Sequence, residues 1–175
     1  MLITLLAWIY ISFLCRAWGL LLIKCLTGIY RNRINCNYGF SITCFIGLAF
    51  IATIAAIISL FTGLGSIAIQ VLFFLPALCV YFFFGETVLH GQKLNTFIRN
   101  LHPAISFLLG ASLLMILAMS TYPINHPDTI AYHAQIIKWI EQYRAVPGLV
   151  HLNYLYGLQN NWFILCGLFS FSFAG

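Results

Sequence analysis

The side chains best equipped for chemistry crowd into one stretch, Tyr122-Pro-Ile-Asn-His-Pro-Asp128-Thr-Ile-Ala-Tyr-His133. Asp128 is the only aspartate in the chain. A carboxylate at a membrane–water boundary, under a partly apolar cover, gains basicity from the lowered dielectric and can act as a general base. The same residue is also well suited to cap a following helix, and the two roles are compatible. His126, Asp128 and His133 form an H-x-D-x4-H spacing that matches no strong metal signature, and Pro127 between the first two opposes presentation from one helix. No metal and no cofactor are expected. There is no Gly-rich phosphate loop, serine elbow or H-E-x-x-H motif, so nucleophilic serine and zinc-protease chemistry have no support.

An element has to hold these residues, and the sequence predicts one. Pro123 and Pro127 stop the preceding helix, and Asp128 or Thr129 supplies an N-cap for an amphipathic helix over 130–144. At 100° per residue, Ile130, Tyr132, Ile136, Ile137, Trp139, Ile140 and Tyr143 share one half, while Gln135, Lys138, Glu141 and Gln142 share the other. Such a helix lies in the membrane interface or on top of a helix bundle. His133 falls in the apolar half, either as a core histidine tied to a backbone carbonyl or as a residue aimed into a cavity. Lys138 and Arg144 are candidates to meet an anionic substrate group, with a solvated helix face as the commoner role. The turn Val146-Pro-Gly-Leu-Val-His151 follows, and Trp162 reads as an interfacial anchor.

The rest of the chain places this loop. Of 175 residues, 62% are apolar and only 6% charged, with mean hydropathy +0.98. Eight Lys/Arg and three acids cannot cover the surface of a soluble domain, so the surrounding solvent is lipid. The expected fold is all-α, a polytopic transmembrane bundle with four spans near 2–23, 40–60, 67–84 and 103–120, an outer loop over 121–160, and a fifth span begun at 161–175 and cut short. The net charge of +5 is dispersed without an aromatic-basic pattern, so no nucleic acid partner is expected. Six scattered cysteines, none in 121–160, predict neither disulfides nor zinc. The N-terminus lacks a basic region ahead of its apolar run and reads as a retained span rather than a signal peptide.

Orientation follows from the basic residues, since short Lys/Arg-rich loops stay cytoplasmic. Lys24, Arg31 and Arg33 lie between spans one and two, and Lys93 and Arg99 between spans three and four. That puts the N-terminus, the uncharged turn at 62–66 and the loop 121–160 outside, even though the loop carries Lys138 and Arg144. Glu86 reads as a solvated loop residue. Arg16 interrupts the first span about 12 Å of helix rise before Lys24. It is a functional candidate by depth, although a cation snorkelling to the inner interface near Trp18 is the commoner arrangement.

The runs Asp128-Thr-Ile-Ala-Tyr132-His133, Ile137-Lys-Trp139-Ile-Glu141-Gln-Tyr143, Val146-Pro147-Gly148-Leu149 and Asn160-Asn-Trp162-Phe163 carry a resemblance. Over about residues 115 to 170 the chain resembles a family of uncharacterised bacterial membrane proteins, similar in turn to GT-C-type glycosyltransferases such as the protein mannosyltransferases. The resemblance implies an inner-membrane enzyme that uses a polyprenyl-phosphate-linked sugar, with membrane lipids around it and an outer loop presenting an acid. Asp128 is the position matching that acid, and His133, Lys138 and Arg144 become its substrate-binding candidates. Pro127 and Thr129 flank Asp128 where many such enzymes carry two adjacent acids, and three helices precede the position where the loop usually falls. An N-terminal fragment of this kind is expected to be inactive alone. A transporter or flippase subunit and a non-catalytic membrane scaffold are the other readings.

Overall fold

The computed structural model describes residues 2–29, 39–84, 102–122, 127–157 and 161–172. The loop residues Arg31, Arg33, Glu86, Lys93 and Arg99, the His126 of the polar cluster and Asn160 fall outside that set. The described residues are all-helical: α1 (Leu2–Ile29), α2 (Phe40–Ser59), α3 (Ile67–Phe84), α4 (Pro103–Ser120), α5 (Ala134–Gln142) and α6 (Asn161–Leu168). A π turn, Thr129–His133, leads into α5, and two 3-10 turns, Leu149–His151 and Tyr154–Gly157, lie between α5 and α6.

Three helices, α1, α2 and α4, are long and apolar enough to cross a membrane, and α3 is a shorter apolar helix. Large side chains such as Ile3, Phe83 and Phe107 are about four-fifths exposed on these helices, at 80%, 81% and 77%. Water would drive such surfaces together, whereas lipid tails solvate them at no cost. This is the architecture of an integral membrane protein.

Helices in lipid gain little from the hydrophobic effect, so close backbone approach must hold them. Both α1 and α2 carry the required pairs of small residues four apart, Cys15 with Gly19 and Thr43 with Gly47. A Cβ on Gly47 would overlap the Cys15 carbonyl, and one on Gly19 would overlap the Thr43 carbonyl. The register is therefore antiparallel, and Leu14, Cys15 and Ala17 of α1 join Ile51, Ala52 and Ala55 of α2 in one buried core. The third helix runs parallel to α1. Phe74 stacks on Tyr10 at 6.1 Å, and the Trp18 Nε1–H donates to the Phe73 carbonyl at 3.1 Å. That carbonyl lies just before Pro76, whose missing N–H and bulky ring loosen the helix ladder locally.

In contrast, α4 buries only Leu117 and presents the rest of its apolar surface outward.

Two expectations change in the structure. The first helix continues six residues past position 23, carrying Lys24 on its last turns. Within the described residues of the apolar run at 161–175, the α-helix is α6, eight residues. It stops because the Leu168 carbonyl is taken by the Gln70 side-chain amide and Phe171 turns into the left-handed region at φ 50°. A phenylalanine there is strained, and its ring is held between Tyr10 at 5.7 Å and Phe169 at 6.3 Å.

Candidate functional site

The described residues between α4 and α6 form a cap over one end of the bundle, and backbone hydrogen bonds fasten it there. An α-helix leaves its last four carbonyls without helical partners. At the end of α5 the turn between α2 and α3 takes two of them: Leu64 N–H donates to the Ile140 carbonyl at 3.0 Å and Gly65 N–H to Glu141 at 2.9 Å. Just past the helix, Ala145 N–H donates to the Ser59 carbonyl at 2.8 Å. The turn can approach so closely because Gly63 and Gly65 have no side chains. A Cβ on Gly63 would lie 2.6 Å from the Gln142 carbonyl carbon, and one on Gly65 would run into the Glu141 side chain.

Beneath α5 sits α6. Ile136 and Ile140 are buried, and Gly167 lets α6 reach the Ile140 side chain, where a Cβ would stand 2.8 Å from Cγ2. Leu165 and Leu168 join the same core as Leu14, Ile51 and Phe73. The amphipathic pattern thus faces protein on its Ile136/Ile140 side, while Lys138 and Gln142 face out. Tyr143, expected on the apolar half, is exposed at the helix end. Trp139 packs on Tyr156 of the second 3-10 turn at 5.3 Å.

Asp128 is exposed and already helical, with φ −65° and ψ −31°, immediately before the π turn. A capping residue has extended backbone and a side chain bonded to the following N–H groups. Asp128 has neither, so the capping role is not the one the structure assigns to it. In the π turn the Ala134 N–H reaches back five residues to the Thr129 carbonyl. One extra residue per turn re-aims the side chains that follow, and such bulges occur often at functional sites. Here it brings the His133 ring to 5.2 Å from Phe163 of α6 and 4.1 Å from Tyr132. His133 is half-buried in an aromatic contact, and no described residue hydrogen-bonds its ring nitrogens.

Lys138 stands elsewhere. With Thr129, Ala134, Ile137, Glu141 and Gln142 it lines an open groove of about 570 Å³, closed on its far side by Gly65 and Ser172. Positions 134, 137, 138, 141 and 142 form one helical stripe, adjacent to the buried one. Arg144 lies beyond the end of α5, beside Ser59 and Leu149 at a crevice of only about 30 Å³. The three substrate-binding candidates therefore do not converge. Lys138 shares the groove that begins at Thr129, next to Asp128, whereas His133 packs inward and Arg144 sits past the turn.

Sequence reasoning placed Glu141 on the polar half of the helix without singling it out, and did not foresee the groove that it lines with Gly65. The spacing of Lys138 and Glu141 was a weak signal. It also missed Gln70, a buried amide that accepts from the Tyr10 hydroxyl at 3.1 Å and donates to the Leu168 carbonyl. A single amide inside the apolar run of α3 was the visible sign.

The bundle and its cap define a class, the α-helical integral membrane proteins with an interfacial layer at one end. Within that class the chain belongs to the family described as a domain of unknown function, DUF8201, whose family model matches residues 1–175. No curated protein and no solved structure matches it.

Proposed function

We propose that this chain acts as a GT-C-like glycosyltransferase that moves a sugar from a polyprenyl-phosphate donor at the outer face of a bacterial inner membrane. The observation that supports this reading is the exposed Asp128 at the head of a cap that lies across the end of a membrane bundle, beside a groove lined by Thr129, Lys138 and Glu141. Asp128 takes the proton of an acceptor hydroxyl as the acceptor oxygen bonds to the anomeric carbon. The bond from that carbon to the donor phosphate oxygen breaks, and the polyprenyl phosphate leaves with the electron pair. A phosphate leaving group needs little protonation, so one base suffices where hydrolases of stable glycosides use two carboxylates. Lys138 supplies a point charge toward the donor phosphate.

Asp128→Asn in the full-length protein removes the base and keeps the size of the side chain. Transfer of a radiolabelled sugar from its polyprenyl-phosphate donor should fall by about 10²-fold or more, with unchanged expression and melting temperature. Transfer at the parental rate would sink the assignment of Asp128 as base.

A further inference from the structure

Arg16 is not used by the proposed transfer, and it lies toward the end of the bundle opposite the cap. Only 8% of its surface is exposed, and its guanidinium carbon sits 4.8 Å from the centre of the Phe40 ring. Phe40 is the first residue of α2. Cys15 packs against Gly47, so the Arg16 backbone is level with a point on α2 roughly 10 Å from Phe40 along the helix axis. The guanidinium therefore lies beside the first turn of α2, against the Phe40 ring.

Two sets of donors meet there. A guanidinium keeps its charge at any physiological pH and carries five N–H groups. The Phe40 ring meets the guanidinium in a cation–π contact, which takes up none of its N–H groups in a conventional hydrogen bond. Among the described residues, no carboxylate or carbonyl accepts a hydrogen bond or forms an ion pair with Arg16. The second set is the first turn of a 20-residue helix, whose leading N–H groups have no helical acceptor. Gly39, at the cap position, offers no side-chain bond to them. Both sets are positive, and among the described residues neither has an acceptor. A snorkelling arginine that merely reached water would remain exposed, whereas this one is more than nine-tenths covered.

We propose that Arg16 and the N-terminus of α2 bind a phosphate group, and that in the membrane it is the phosphodiester of an anionic lipid in the leaflet meeting the α1–α2 connection. The planar fork of arginine fits two phosphate oxygens, and helix N-termini bind the same anion through backbone N–H groups. The basic residues Lys24, Arg31 and Arg33 of the same connection add long-range attraction for an anionic leaflet.

The test uses the full chain, purified in neutral detergent and stripped of lipid. Native mass spectrometry with equimolar phosphatidylglycerol and phosphatidylcholine should show selective retention of phosphatidylglycerol, with a matching rise in melting temperature. Arg16→Met should lower that retention at least tenfold while remaining folded, because it exchanges an uncompensated buried charge for an apolar chain of similar length. Arg16→Lys should be intermediate and serves as the second variant, since a point charge keeps attraction but not the bidentate fit. In a separate arm, millimolar inorganic phosphate that stabilises the parent but not Arg16→Met, without any preference between lipids, would keep the phosphate site and overturn its lipid assignment. Equal retention of phosphatidylglycerol by parent and Arg16→Met would overturn the proposal. So would a parent that neither prefers phosphatidylglycerol nor responds to phosphate, whatever the variants do. The readout is lipid retention rather than sugar transfer, so its outcome is independent of Asp128.

Discussion

Gln70 joins three elements with one amide. Its oxygen takes the Tyr10 hydroxyl of α1, and its nitrogen donates to the Leu168 carbonyl at the end of α6. Gln70 is buried, so its amide has little water to fall back on. Gln70→Leu leaves the Tyr10 hydroxyl and the Leu168 carbonyl without this partner. It should lower stability by about 1–3 kcal/mol, read as a fall in the thermal unfolding midpoint in detergent. Gln70→Met, equally apolar, should behave the same way. Asp128 shows the opposite case: its residue type was legible as chemistry, and its backbone conformation was not. Capping and catalysis were both open, and compatible, from the sequence; the helical φ and ψ of Asp128 and the lack of a side-chain cap bond bear on the capping role alone.

At the scale of elements, glycines divide into those that hold helices together and those that do not. Gly47 touches the Cys15 backbone, whereas a Cβ on Gly110 in α4 would meet nothing within 4 Å. Gly47→Val must push α1 and α2 apart, costing about 1–3 kcal/mol or more by overpacking. Gly110→Ala should be neutral or stabilise by up to about 1 kcal/mol, because alanine is the better helix former. Comparing the two melting temperatures against the parent checks the contrast, and equal losses would show that the close approach is not what secures the pair. The amphipathic helix was readable from its period, and its two buried isoleucines fall where that period places them. What the period could not supply was the partner. The turn at 62–66 reads as a plain uncharged connection until Leu64 and Gly65 are seen to cap α5.

For the whole molecule, that cap has a consequence for topology. The α2–α3 turn and α5 are bonded to each other, so both lie on one side of the membrane. The Lys/Arg distribution leads to the expectation that this side is the outer one, which labelling tests. In intact cells, Gln142→Cys should react rapidly with a membrane-impermeant maleimide added outside. Failure to label would reverse the orientation. Cys166 of α6 provides an internal reference: burial pushes its thiol above the ordinary value. A raised thiol holds less thiolate at a given pH, so Cys166 should alkylate more slowly than the exposed position at pH 7.5. Its rate should keep rising with pH after the exposed thiol has levelled off. Equal rates at pH 7.5 would contradict the packing of α6 under α5.

The sequence alone determined the solvent, the helical class and the approximate extents of α2, α3 and α4, because hydropathy and length are properties of a segment in isolation. It also singled out Asp128, the sole aspartate, beside an amphipathic helix. Only the tertiary structure decided that Lys138 and Glu141 share a groove with Thr129 while His133 and Arg144 do not line it. The same holds for the end of α6 at Leu168 and for the reach of Arg16 to the head of α2. Each of these depends on contacts between residues from 24 to 98 positions apart. Long-range pairing of that kind has no period along the chain, so no local pattern could announce it.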